Sequence, residues 1–278
     1  MRSILSLAIV LLATAPAAYG QVAATRPSIL NQITIDQKLG DSVPLDTGFR
    51  DEAGEEIALR SCFHGKPVVI VPVYYECPML CSVTLNQFTR TLNAMTENVG
   101  EQFDVVTVSF DPRETADLAA AKKRSYLKSY RRNSAETGWH FLTGSKSSLE
   151  ELMKAIGFHY EWDEKNQQFA HAAVIIVVSP EGKISRYFLG IDYPPVLLQA
   201  ALKDAGMGKV GQRAESIFLY CFKYDPNTGK YGLVIDRSIK ALGALTVIGL
   251  VSLIGSLHIV RVRKERLIGL NGIPPEGR

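Results

Sequence analysis

Val68-Val69-Ile70-Val71-Pro72-Val73-Tyr74-Tyr75-Glu76-Cys77-Pro78-Met79-Leu80-Cys81 begins as one kind of pattern and ends as another. Its first eight residues are apolar without alternation and rich in valine, the signature of a strand buried on both faces. Pro72 cannot donate to a ladder, which predicts an edge position or a bulge towards the strand's end. From Ser82 to Val99 the period changes, with Val83, Phe88, Leu92 and Met95 at helical spacing. Cys77 and Cys81 therefore stand where a buried strand gives way to a helix.

Working outward, Phe103–Phe110 reads as a second strand, broken by Asp111-Pro112-Arg113-Glu114. Thr115 is the predicted N-cap of a helix reaching about Arg132. That helix carries Lys122, Lys123, Arg124, Lys128, Arg131 and Arg132, a charge run that reads as a solvated face. Trp139–Leu142 is a short extended piece, and Ser147-x-x-Glu150 is a capping box opening a helix to Ile156. Ala172–Val178 and Lys183–Leu189 flank Ser179-Pro180-Glu181-Gly182 as a hairpin, and Pro194-Pro195 opens a helix to Ala205. Upstream, Asp51–Glu56 is a turn between Gly48-Phe49-Arg50 and Ile57-Ala58-Leu59, predicting a small hairpin. Strands alternating with helices imply an α/β domain with helices on both faces of the sheet.

The 278 residues carry a formal charge of +3, which invites a basic, nucleic-acid-binding reading. Between Gln21 and Ile239, however, 24 Lys and Arg face 26 Asp and Glu, so the globular part is near −2 and the surplus lies at the chain ends. No nucleic-acid partner is expected. Met1-Arg2-Ser3, an apolar run from Ile4 to Ala15 and Ala17-Ala18-Tyr19-Gly20 form a cleavable leader over residues 1–20. Ala241–Val260 is uncharged if His258 is neutral, and at 1.5 Å per residue its twenty residues reach across a bilayer core of ~30 Å. Arg261, Arg263, Lys264 and Arg266 follow at once, which places the last residues in the cytoplasm. The expected order is leader 1–20, lead-in 21–38, domain 39–205, extension 206–238, membrane helix 239–260 and cytoplasmic tail 261–278. A cleaved leader followed by one stop-transfer helix leaves the domain outside the cytoplasm. Four cysteines are too few for a disulfide scaffold at this length.

A helix N-terminus stabilises thiolate and lowers its pKa. Two thiolates four residues apart can close a disulfide or bind a soft metal ion, and a purely structural crosslink over so short a loop removes little chain entropy. Imidazole also suits copper. Of five histidines, His171 in Phe169-Ala170-His171-Ala172 precedes a strand in a loop able to face the strand-to-helix turn. His64 reads as a loop residue, His140 and His159 as packing, and His258 belongs to the membrane helix.

These pieces together resemble the SCO/SenC family of thioredoxin-fold proteins, in a bacterial subgroup with a C-terminal membrane helix. The matching residues are Tyr74–Cys81, Val106–Thr115, Gly138–Gly144, Phe169–Ala172 and Ser179–Lys183. The resemblance runs from about residue 39 to 205, with a further stretch at Leu219–Pro226. It implies a thioredoxin-like α/β fold, a central mixed sheet with flanking helices, plus the one membrane helix. It also implies copper, as Cu(I) or Cu(II), held by Cys77, Cys81 and His171 in a shallow exposed site. The implied task is copper delivery to a terminal oxidase's copper-receiving subunit or another periplasmic copper or thiol protein, or reduction of the receiving cysteines. Relatives commonly carry Asp where this chain has Ala170. Asp111 and Met79 are secondary candidates, and Cys62 and Cys221 are left outside the site. The competing reading is a metal-free thiol–disulfide oxidoreductase in which Cys77 attacks and Cys81 resolves. An inert thioredoxin-like binding module is the third.

Overall fold

The computed structural model describes residues 33–77, 80–164, 166–214, 224–225, 230–231 and 233–270, and of residues 80–81, 224–225, 230–231, 233–242 and 262–270 the backbone only. The leader and Cys221 lie outside the described residues. The chain opens with hairpin β1 (Gly48–Arg50) and β2 (Glu56–Ala58), followed by β3 (Val68–Val73) and α1 (Leu80–Ala94). Next come β4 (Asp104–Ser109), α2 (Ala116–Tyr130), the single turn α3 (Ala135–Gly138), β5 (Trp139–Leu142) and α4 (Lys146–Ala155). A second hairpin, β6 (Tyr160–Asp163) and β7 (Gln168–His171), precedes β8 (Val174–Val178), β9 (Ile184–Leu189) and α5 (Pro195–Gly206). Beyond the domain, β10 (Tyr224–Asp225) pairs with β11 (Lys230–Tyr231), and α6 spans Leu233–Leu270.

Five strands form one sheet in the order β5-β4-β3-β8-β9. β3 runs parallel to β4 and β4 parallel to β5, while β8 and β9 complete the sheet antiparallel. This is the mixed, thioredoxin-like sheet with flanking helices that the sequence predicts. Every residue of β3, β4 and β8 is buried, as expected of strands covered on both faces. α2 packs on β5, α5 on β8 and β9, and α1 against α2 and α5.

Pro72 is not on an edge strand, because β3 is the middle of the sheet. It is tolerated because the β3–β8 ladder ends at Ile70 opposite Ile176, while the β4 ladder continues to Val73 opposite Ser109. On its β8 side Pro72 is locally at an edge.

Two local expectations are revised, the α4 cap and the α2 charge run, and one, the Thr115 N-cap, is met in position. α4 is capped by Ser145, whose Oγ accepts the Ser148 amide at 3.2 Å, rather than by Ser147. Thr115 occupies the N-cap of α2 without a side-chain cap bond. The α2 charge run is not one solvated face. Lys123 is buried against Glu52 and donates to the Glu136 carbonyl at 2.7 Å, and Arg132 donates to the carbonyls of Met95 and Glu97. Within α6, Gly243–Arg261 is the one segment among the described residues long and apolar enough to cross a membrane, by length and composition.

Candidate metal centre

β3 and β4 end side by side, and the residues just past their two ends build the site. The Phe110 amide donates to the Val73 carbonyl at 2.8 Å, holding the two exits together. Tyr74 and Tyr75 then serve different neighbours. Tyr75 is buried and its hydroxyl meets the carbonyls of Leu142 at 2.9 Å and Thr107 at 3.1 Å, anchoring the turn under the ends of β4 and β5. Burial holds this phenol well above its ordinary pKa, so it remains a donor. Tyr74 turns its ring towards Phe110, Phe169 and His171, with centroids 5.4, 5.5 and 5.9 Å away. Its carbonyl accepts the Cys77 amide at 3.3 Å. One residue thus touches both predicted ligand positions, its main chain at Cys77 and its ring at His171.

His171 is not in a loop. It ends β7, opposite Tyr160 in the β6–β7 ladder. That hairpin escaped the sequence reading because Tyr160-Glu161-Trp162-Asp163 and Gln168-Phe169-Ala170-His171 mix charge with aromatics and show no clean period. The structure explains the aromatics: Phe110 lies 5.1 Å and Phe158 5.9 Å from the imidazole, and Phe110 in turn meets Tyr160 in a tilted contact and Phe169 edge-on. His171 is only 1% exposed and Cys77 7%, so at these two residues the expected shallow exposed site is instead covered. Nδ1 of His171 lies 2.9 Å from the Ala172 carbonyl. A carbonyl only accepts, so Nδ1 carries the proton and Nε2 the lone pair, the tautomer a metal-binding imidazole needs. Ala170, where relatives carry Asp, is buried in the same hairpin opposite Glu161.

The remaining assignments divide. Cys81 is placed by its backbone in the first turn of α1, but its side chain, like Pro78 and Met79, lies outside the described residues. Among the described residues no three His, Cys, Asp or Glu side chains converge as a metal cluster. Asp111 is buried and takes the Arg113 guanidinium in a two-pronged ion pair of 2.7 and 2.8 Å. That guanidinium lies 4.8 Å over the Trp162 ring, closing the outer side of the aromatic group beside a cavity of about 900 Å³. Cys62 is buried on the segment before β3, and burial pushes its thiol up to about 12. His64 is a loop residue, 3.0 Å from the buried carboxylate of Asp104. His140 packs largely inside, as expected, whereas His159 does not pack but meets Asp36 at 2.9 Å on the surface.

The residue that the sequence did not single out is Glu114. Its Oε1 accepts the Glu76 amide at 2.7 Å, and its Oε2 accepts the Tyr75 amide at 2.7 Å and the Ser109 hydroxyl. Ser109 Oγ in turn accepts the Asp111 amide at 3.1 Å. Desolvation raises the Glu114 carboxyl, against hydrogen bonds that favour its charged form. The available signal was topological: two parallel neighbouring strands end at one edge, so a carboxylate just past β4 reaches the turn past β3.

Residues 48–204 match the SCO1/SenC family model. A Stutzerimonas stutzeri protein described as copper-binding is 28% identical over 115 residues, which are 40% of this chain; the chain spans about half, 52%, of that relative's length. Two Aquifex aeolicus structures, described as an electron transfer and an electron transport protein, are 27% and 26% identical, with TM-scores of 0.54 and 0.50. Each alignment covers 62% of this chain, and 95% and 99% of the respective Aquifex chain.

Proposed function

The chain belongs to the SCO1/SenC family, which is implicated in copper binding and oxidase assembly, and from that membership we propose a membrane-tethered copper-binding assembly factor. In this reading Cys77, Cys81 and His171 are the ligands and copper, as Cu(I), is the cargo. The ligands yield one at a time to thiolates of an acceptor, the copper-receiving subunit of a terminal oxidase, or the chain prepares that subunit's cysteines. The observation that carries the reading is the His171 tautomer. A buried imidazole held by the Ala172 carbonyl presents Nε2 inside a shell of rings, one of which belongs to the residue fixing the Cys77 amide. Two cysteine thiolates and one oriented imidazole are a donor set that suits copper. The tether is supported by the exposed apolar stretch Gly243–Arg261, and the basic residues that follow it favour a domain on the periplasmic side.

The test is an anaerobic Cu(I) titration of the reduced full chain in detergent against a chromophoric chelator, beside Cys77→Ser and His171→Ala. One equivalent retained by the parent and lost by both variants supports the reading, and failure of the parent to hold copper ends it. A metal-free thiol–disulfide oxidoreductase would instead keep its exchange rate in His171→Ala.

A further inference from the structure

Glu114 holds the main chain of the turn entering Cys77, and it does so from a different strand exit. Tyr75 is fixed at both ends: its hydroxyl by the carbonyls of Thr107 and Leu142, its amide by Glu114. Glu76, whose side chain is exposed, is held through its amide. The next residue is Cys77, whose amide returns to Tyr74. The direction in which the Cys77 thiol leaves the turn is therefore set by the short run Tyr74–Glu76, and the clamp on that run is a carboxylate.

We propose that Glu114 is a positioning residue for the metal-receiving turn: its two oxygens fix the Tyr75 and Glu76 amides and thereby the geometry and reactivity of Cys77. This deepens the copper reading and rests on it for its first readout. The chemistry of the clamp explains why a carboxylate is needed. Both oxygens face donors, and Oε2 also takes the Ser109 hydroxyl, so every position around the group calls for an acceptor. An amide of the same shape has one –NH2, and in either orientation that –NH2 faces a backbone N–H. Glu114→Gln thus removes the clamp while keeping volume and packing. An unsatisfied donor is costly here because the carboxylate is half-buried between β4 and the turn.

The experiment uses the reduced full chain in detergent, as parent, Glu114→Gln and Ser109→Ala. Three quantities are read: Cu(I) retention against a chelator, the pH profile of Cys77 alkylation resolved by peptide mass spectrometry, and thermal stability. Residues that orient metal ligands typically shift affinity by ~10–100-fold, and a loss in that range is expected for Glu114→Gln. The midpoint of Cys77 alkylation should move with it. Ser109→Ala, which keeps both amide bonds, should show a smaller effect in both readouts, and its folding guards against a Gln variant that simply unfolds. If Glu114→Gln matches the parent within about twofold in copper retention and keeps the same alkylation profile, the proposal is overturned. Should the parent fail to hold copper at all, the assembly-factor reading is lost, while the alkylation profile still decides for or against Glu114.

Discussion

His171 donates from Nδ1 to the carbonyl of its own neighbour Ala172, at 2.9 Å. A bond between adjacent residues ties the ring to the main chain that leaves β7, and the rings of Phe110 and Phe158, 5.1 and 5.9 Å away, pack against it. The protonated nitrogen is thereby set before any ligand arrives. Long-range proton–nitrogen NMR of the reduced, metal-free chain should place the proton of the neutral imidazole on Nδ1 and not on Nε2. The opposite tautomer would remove the main support for His171 as a ligand.

Phe110 is the hub of the aromatic shell, in ring contact with Tyr74, Phe158, Tyr160, Phe169 and His171. It is fully buried, so Phe110→Ala leaves a cavity and should destabilise the domain by about 3–5 kcal/mol. Urea unfolding followed by tryptophan fluorescence checks this, with the midpoint falling and the slope unchanged. Phe110→Leu should recover part of the loss.

Lys123 and Lys128 sit on the same helix and differ in what they touch. Lys123 is buried between Glu52 and the Glu136 carbonyl, whereas Lys128 points to solvent. Removing one partner of a buried pair strands the other, so Lys123→Ala should cost about 3 kcal/mol. Lys128→Ala should stay within about 0.5 kcal/mol of the parent in the same unfolding experiment.

His140 predicts an acid-side loss of stability. Burial lowers its pKa below the ordinary 6.5, with Glu52 and Asp104 opposing that shift and Lys123 and His64 adding to it. Below about pH 6.5 the unfolded chain takes up a proton that the folded chain refuses, so stability falls as pH falls towards the folded pKa. The slope from this one group is at most about 1.4 kcal/mol per pH unit. Thermal unfolding between pH 5 and 7.5 should steepen on the acid side for the parent and flatten in His140→Gln. An equal slope in both would exclude His140 as the source.

Range along the chain decided which features were legible in the sequence. The buried runs of β3, β4 and β8 are local periodicities and lie where the patterns put them, while α1, expected over Ser82–Val99, starts two residues earlier at Leu80 and ends at Ala94. Cys77 at a strand-to-helix exit was legible for the same reason. The features that were not legible depend on contacts across the fold. Glu114 meets amides 38 and 39 residues away, brought near only by the parallel register of β3 and β4. β7 draws its order from Phe110 on another strand exit, and Lys123 from Glu52 on the first hairpin. A charge run or a mixed aromatic stretch carries no mark of which of its members will be claimed from a distance.

The early end of the β3–β8 ladder has a mechanical consequence. Past Ile70 the sheet is divided into two jaws, β5-β4-β3 on one side and β8-β9 on the other. Cys77 rides on the first jaw and His171 leads into the second, bridged by the Tyr74 ring rather than by ladder hydrogen bonds. Past Ile70, therefore, no β3–β8 rung ties the two candidate ligand positions together. The proline at this point is what keeps the calliper from being zipped shut.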